Sequence, residues 1–229
     1  MQIDPKKNYA VITGDFIGFS KLSAKQRKSM YFILKKGGEQ LGKAFPGIMP
    51  CDVDVFRGDG WQILLTDPMM SLRAALYFRV YIRAHASEKR VDTRLAIAMG
   101  TVDYVPENRV SAGDGTAFRL SGKLLESMTS SKAGSMRFIM EDSRKCATID
   151  AIVRLTGALA DGWSSKQAMA VTGALQGWTQ KQIRQLWKNG ISPQAVAKHL
   201  DRARWPAVLH GVTVFENALA HFFAEGPGD

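Results

Sequence analysis

Asp15 and Asp59 are the carboxylates of this chain whose surroundings suggest chemistry rather than solubility. Asp15 ends the apolar run VITGD and is followed by Phe16, Ile17, Gly18, Phe19 and Ser20 before a helix can start. Asp59 lies in Gly58-Asp59-Gly60, between the runs DVDVFR and WQILLT. Taken singly, an Asp-Gly pair is also a common hairpin turn. Two carboxylates brought together repel each other, and one pKa rises unless a cation lies between them. Mg2+ or Mn2+ suits that position, taking one or two carboxylates and completing its shell with water and substrate phosphates. Residues 16–20 then offer backbone N–H groups to a phosphate, with Gly18 allowing close approach. The chemistry expected is that of a nucleotide phosphate.

Whether the two carboxylates meet depends on the elements that carry them. Residues 9–14 read as a strand. Ser23 and Gln26 form a capping box, after which Met30, Ile33, Leu34 and Leu41 recur at helical spacing. Gly37-Gly38 weakens that helix and Pro46 ends it. Residues 52–57 and 61–66 read as the strands of a hairpin. Pro68 opens a second helix with Leu72, Leu76 and Val80 on one face, and residues 93–100 form a strand in which Leu95, Ile97 and Met99 alternate. A third helix over about residues 116–128 and a strand over about 136–140 follow. The order strand, helix, strand, strand, helix, strand is the α+β, ferredoxin-like βαββαβ arrangement. There the first strand lies antiparallel beside the third, so Asp15 and Asp59 come to one sheet edge.

Beyond residue 146 the pattern is helical only, which divides the chain into residues 1–146 and 147–229. Helices are expected over residues 149–160, 166–175, 181–187, 193–204 and 212–223. Thr179 with Gln182 forms a capping box, Asn189-Gly190 a left-handed turn, and Ser192-Pro193 an N-cap with a first-turn proline. These are the marks of a helix-turn-helix. On its second helix Val196 and Leu200 face inward, while Gln194, Lys198 and Arg202 face outward. That outward set suits the base edges and phosphates of double-stranded DNA. A helical bundle used for dimerisation or docking is the alternative.

Composition agrees with a globular protein: 45% hydrophobic and 23% charged over 229 residues. The net charge of +10 suggests a polyanionic partner, nucleic acid or nucleotide. No apolar run approaches the roughly 20 residues of a membrane span, and residues 1–8 lack a signal-peptide core, so a cytoplasmic protein is expected. Cys51 and Cys146 lack metal-ligand spacing. Walker A, Ser-His-Asp and zinc patterns are missing, which excludes P-loop and triad-hydrolase readings.

GDFIGFSKLS together with FRGDGWQILL resembles the two metal-binding segments of class III nucleotidyl cyclases. TRLAIAMGTV is similar to their next strand, and SAGDGTAFRLSGKLLE resembles the Gly-Asp and helix that follow. The resemblance covers roughly residues 9–140, in order. With the helical tail, the chain also resembles the SatD family. The resemblance implies Asp15 and Asp59 as ligands of two metal ions, a nucleoside triphosphate substrate, and a homodimer with shared active sites. The cyclase Asn and Arg of the third helix fall on Ala117 and Ser121; a shift of two residues replaces them with Arg119 and Lys123, the candidate catalytic pair. Val55 stands at the base-selecting position, and Arg57, on the same strand face, is a candidate contact to base or phosphate. Two functions follow. One is a metal-dependent nucleotide-binding protein of cyclase type joined to a DNA-binding helix-turn-helix. The other is a SatD-like DNA-binding transcriptional regulator whose cyclase-like domain is inactive and senses nucleotide or dimerises.

Overall fold

A computed structural model describes residues 3–56, 58–86, 91–128, 134–141 and 143–225. The chain is a mixed α+β protein built on a five-stranded sheet. Strands β1 (Asn8–Phe16), β2 (Asp54–Phe56), β3 (Gly60–Leu65), β4 (Thr93–Thr101) and β5 (Met136–Met140) stand in the order β2-β3-β1-β4-β5. β1 pairs antiparallel with both β3 and β4, and β5 runs parallel to β4.

The pleat sends alternate residues to opposite faces. Ala10, Ile12 and Phe16 of β1 join Ile63, Leu65, Leu95, Ile97 and Met99 in one buried cluster, covered by α1 (Ala24–Ala44) and α2 (Ser71–His85). Ser23 caps α1 through the expected box. The helix runs unbroken through Gly37 and Gly38, because the missing side chains admit neighbours: a Cβ on Gly38 would stand 2.6 Å from Val53. On the opposite face, Val11 and Leu64 pack with Ala117 and Phe118 of α3 (Thr116–Ser127), and Ala96 packs with Leu124 and Met128. α3 leaves the β3 side of this face uncovered, and the cleft described below opens there.

α4 (Ser143–Asp161) starts just after β5, six residues before the helix expected from residue 149. It is followed by α5 (Ser165–Ala174), α6 (Gln180–Ile183), α7 (Pro193–Arg202) and α8 (Trp205–Glu225). The helices differ in length from expectation. α6 is one turn followed by a 3-10 turn at Arg184–Leu186, and its Ile183 packs so close to Gly173 that a Cβ there would stand 2.8 Å away. α8 begins seven residues early, with Pro206 in its first turn, where the absent N–H is harmless. Helices α4, α5 and α8 contribute Ile149, Val153, Val171, Val212 and Phe215 to the same cluster as the sheet. No described helix is long and apolar enough to cross a membrane.

Charge holds these parts together. Arg79 of α2 is 1% exposed and pairs with Asp92, before β4, and with Asp161 at the end of α4, each through Nη2 at 2.6 Å. Arg83 also pairs with Asp92 and donates to the carbonyls of Ala160, Asp161 and Trp163. Burial pushes the Asp92 carboxyl up, but Arg79, Arg83 and the Thr93 N–H together hold it below its ordinary value. A lowered carboxyl contributes stability that is complete above about pH 4, its unfolded value, and is lost as the pH falls through the folded one. Arg79→Met is expected to cost about 3–5 kcal/mol by urea unfolding and to flatten the acid limb of the stability profile, since Asp92 then loses its main cation.

Candidate functional site

Asp15 lies one residue before the end of β1, with Gly60 of β3 and Arg94 of β4 as its Cα partners on either side. Its backbone is clamped from the other face. The buried Trp61 indole donates to Thr93 Oγ1 at 3.2 Å, and the Thr93 hydroxyl donates to the Asp15 carbonyl at 2.6 Å. Gly14 is required there, because a Cβ on it would stand 2.3 Å from the Trp61 ring.

Directly opposite residues of an antiparallel pair project to the same face. Arg94 accordingly meets Asp15 as a fork on a carboxylate, Nε to Oδ1 at 2.7 Å and Nη2 to Oδ2 at 2.8 Å. Its third nitrogen, Nη1, donates to the Met128 carbonyl at 2.6 Å, where α3 ends. The hydrogen bond to Asp15 raises the Arg94 pKa; burial opposes it, and the charges of Asp15 and Asp59 add to the rise. Both carboxylates therefore act on one guanidinium.

These groups line a cleft of about 610 Å³ with Thr13, Gln62, Phe56, Ser111 and, from α3, Gly122, Leu125 and Glu126. A buried chain of hydrogen bonds forms its floor: Gln62 Nε2 donates to Thr13 Oγ1 at 3.0 Å, and the Thr13 hydroxyl donates to Ser121 Oγ at 2.8 Å. At the rim Asp54 accepts from the Ser111 N–H and hydroxyl. Burial works to raise the Asp54 carboxyl, but these bonds, the Val55 N–H and Lys35 keep it lowered.

The expected residues are thus partly gathered. Asp15 and Asp59 share the cleft. Arg94, which sequence reasoning missed, pairs with Asp15 and is also influenced by the charge of Asp59; its one signal was a lone arginine inside the otherwise apolar TRLAIAMG. The loop after Asp15 is not part of the lining. Phe16 is buried in the core and stacks on Phe19 at 5.7 Å, while Ile17 and Ser20 are exposed. Gly18 takes a left-handed φ of 74° and starts the 3-10 turn Phe19–Lys21. The Ile17 N–H is spent on the Asp92 carbonyl. Val55 packs against the core, and Arg57 lies outside the described residues.

Arg119 and Lys123 do not join the carboxylates. Arg119 stands in the first turns of α3, about 10 Å along the axis from Glu126, and is held by Asp114 at 2.9 Å and Asp103 at 3.8 Å. Those acids belong to the turn after β4, at the far end of the sheet from Asp15. Lys123 is exposed and absent from the cleft lining. In the tail, Gln194, Lys198 and Arg202 are exposed on α7, Val196 is buried and Leu200 packs inward. Thr179 and Ser192 cap α6 and α7 as expected. His199 stacks on Trp187 at 5.9 Å; burial, then Lys166, Arg202 and Lys198, lower its pKa.

Among the described residues no three His, Cys, Asp or Glu side chains are grouped to hold a metal ion. The donor set nevertheless fits Mg2+ or Mn2+ in kind. Two hard carboxylates share an open cleft, and such ions accept one or two carboxylates when phosphates and water complete the shell. Arg94 holds both oxygens of Asp15, so ion binding there requires that fork to open.

No protein-family model matches the chain, and no curated protein does. Among solved structures it is similar to the guanylyl cyclase Cya2, at 14% identity over 56% of this chain and 73% of that one, with a TM-score of 0.39. It is also similar to a bacterial light-regulated adenylyl cyclase, at 16% identity and a TM-score of 0.40 over 57% of this chain, but spans only 42% of that chain's length. A third likeness is to the adenylyl cyclase CyaB from P. aeruginosa, at 17% identity over 52% of this chain and 71% of that one, TM-score 0.35. Likeness this weak carries no inference, and the functional reading stands on the cleft's own geometry.

Gly14→Ala is expected to force Trp61 off Thr93 and to destabilise the fold by about 1–3 kcal/mol, read as a lower urea midpoint with an unchanged slope.

Proposed function

We propose that the cleft binds a nucleoside triphosphate with Mg2+ or Mn2+, and that the chain is a ferredoxin-like, cyclase-type nucleotide-binding protein. The supporting observation is the convergence of Asp15, Asp59 and Arg94 at neighbouring strand ends. Asp15 and Asp59 would hold the ion; when bound it would neutralise charge on a transferring phosphoryl group and activate an attacking hydroxyl. Arg94 is the group that changes partner. A guanidinium fork matches a carboxylate or a phosphate equally well, so it can pass from Asp15 to the incoming triphosphate as Asp15 turns to the ion. Thr13 and Gln62 fix the floor against which the nucleotide lies. Arg119 and Lys123 lie away from the cleft of their own chain, so a catalytic role for them falls to a second copy, in a homodimer.

With Mn2+ and each of the four triphosphates in turn, the expected product is a cyclic nucleotide plus pyrophosphate, and Asp59→Asn is expected to lower the rate about 100-fold or more. Arg94→Ala frees Asp15 and leaves two carboxylates in the cleft without that cation, so Mn2+ alone should raise the melting temperature of this variant more than that of wild type. No product from any triphosphate, together with equal Mn2+ shifts in wild type, Asp59→Asn and Arg94→Ala, would dismiss the reading.

A second reading concerns the tail, favoured by the exposed Gln194, Lys198 and Arg202 on one face of α7. Here α6 and α7 act as a helix-turn-helix on double-stranded DNA, and the protein is a SatD-like regulator whose cleft senses nucleotide. Duplex affinity is then expected to fall with rising salt, and Lys198→Ala with Arg202→Ala to reduce the salt slope by about 2 in a mobility-shift series. An unchanged slope removes this reading.

A further inference from the structure

The positive charge of the chain is concentrated on one helix. α1 holds six Lys and Arg against a single acid, Glu39, a net of +5 in a chain of net +10. The apolar side of α1 is already used, with Met30, Ile33, Leu34 and Leu41 buried in the core. At 3.6 residues per turn, Lys25, Lys28, Phe32, Lys36 and Lys43 fall on one outward stripe about 80° wide and about 30 Å long. At its centre Phe32 is 68% exposed and the adjacent Tyr31 51%.

Three features set this face apart from an ordinary solvated one. Among the described residues its one ion pair is Lys36 with Glu39 at 2.8 Å, both well exposed, and such pairs are worth little. Lys25 stands in the first turn with no acid there, although the helix dipole makes that end partly positive and disfavours cations. Two large aromatic rings are held in water side by side, flanked by lysines one turn before and after, a placement that burial does not explain.

We propose that this outer face of α1 binds a single-stranded nucleic acid. The lysines contact successive phosphates, while Phe32 and Tyr31 stack on unpaired bases, which present a π-face whatever their identity. A lipid surface fits less well: a helix lying in a membrane inserts its apolar side, and that side of α1 is in the core. A duplex fits less well too, since its bases are stacked on one another and leave the rings without a partner.

The test is fluorescence anisotropy of a labelled oligo(dT) of about 20 nucleotides with the full chain, over a range of salt. Lys25→Ala, Lys28→Ala and Lys43→Ala combined are expected to weaken binding about tenfold or more and to reduce the salt slope by about 2, at roughly 0.7 per phosphate contact on a single strand. Phe32→Ala should weaken binding about fivefold or more and leave the slope unchanged. Lys198→Ala with Arg202→Ala should leave single-strand binding unaltered. All these side chains are exposed, and a circular-dichroism melt matching wild type verifies folding. The proposal is overturned by absent oligonucleotide binding, with or without binding to phosphatidylserine vesicles. It is equally overturned if the lysine variant keeps wild-type affinity, if a duplex binds as tightly and ignores Phe32→Ala, or if only the α7 variants matter.

Discussion

Arg79 is a permanent charge with almost no access to water, and such a group is tolerated only where carboxylates and carbonyls surround it. Its partners come from three places: the turn before β4, the end of α4 and the Gly157 carbonyl inside α4. Satisfying this one guanidinium fixes α4 against α2 and fixes the start of β4. The consequence reaches the cleft. Asp92 accepts the Ile17 N–H through its carbonyl, and the next residue, Thr93, holds the Asp15 carbonyl. The position of the candidate carboxylate therefore descends from a buried ion network on the other side of the sheet.

On the cleft side the same electrostatic rule applies with water nearby. Two carboxylates at neighbouring strand ends need a cation, and the chain supplies one of its own in Arg94. A guanidinium stays charged at any ordinary pH and forks onto carboxylate or phosphate. Arg94 offsets part of the negative charge that Asp15, Asp59 and Glu126 bring to the cleft. The proposed metal binding would be an exchange of cations, since Arg94 already holds both Asp15 oxygens.

The remaining charge is distributed with little regard for stability. α1 carries Lys25 where the dipole disfavours a cation, and α7 carries exposed Lys198 and Arg202 near Lys166. By contrast Arg73, Arg79, Arg83 and Arg137 are committed to internal pairs with Glu216, Asp92, Asp161 and Asp150. Arginine thus carries these internal pairs, as its weaker hydration suggests.

What the residues determined by themselves was local. The Ser23, Thr179 and Ser192 caps, the turn around Asp59, the alternation of Leu95, Ile97 and Met99, and the inward Val196 each follow from a few neighbouring side chains. The meeting of Asp15 with the start of β3 was legible too, because an antiparallel neighbour fixes which ends coincide. Tertiary structure alone decided who pairs with whom. Arg94 lies 79 positions from Asp15, and only the β1–β4 register makes them neighbours. Arg119, placed by spacing beside the chemistry, is drawn instead to Asp103 and Asp114, since a long flexible cation takes the nearest carboxylate its backbone allows. The joining of α4, α5 and α8 to the sheet's core was equally hidden: helical periodicity says which side of a helix is buried, and leaves open what buries it.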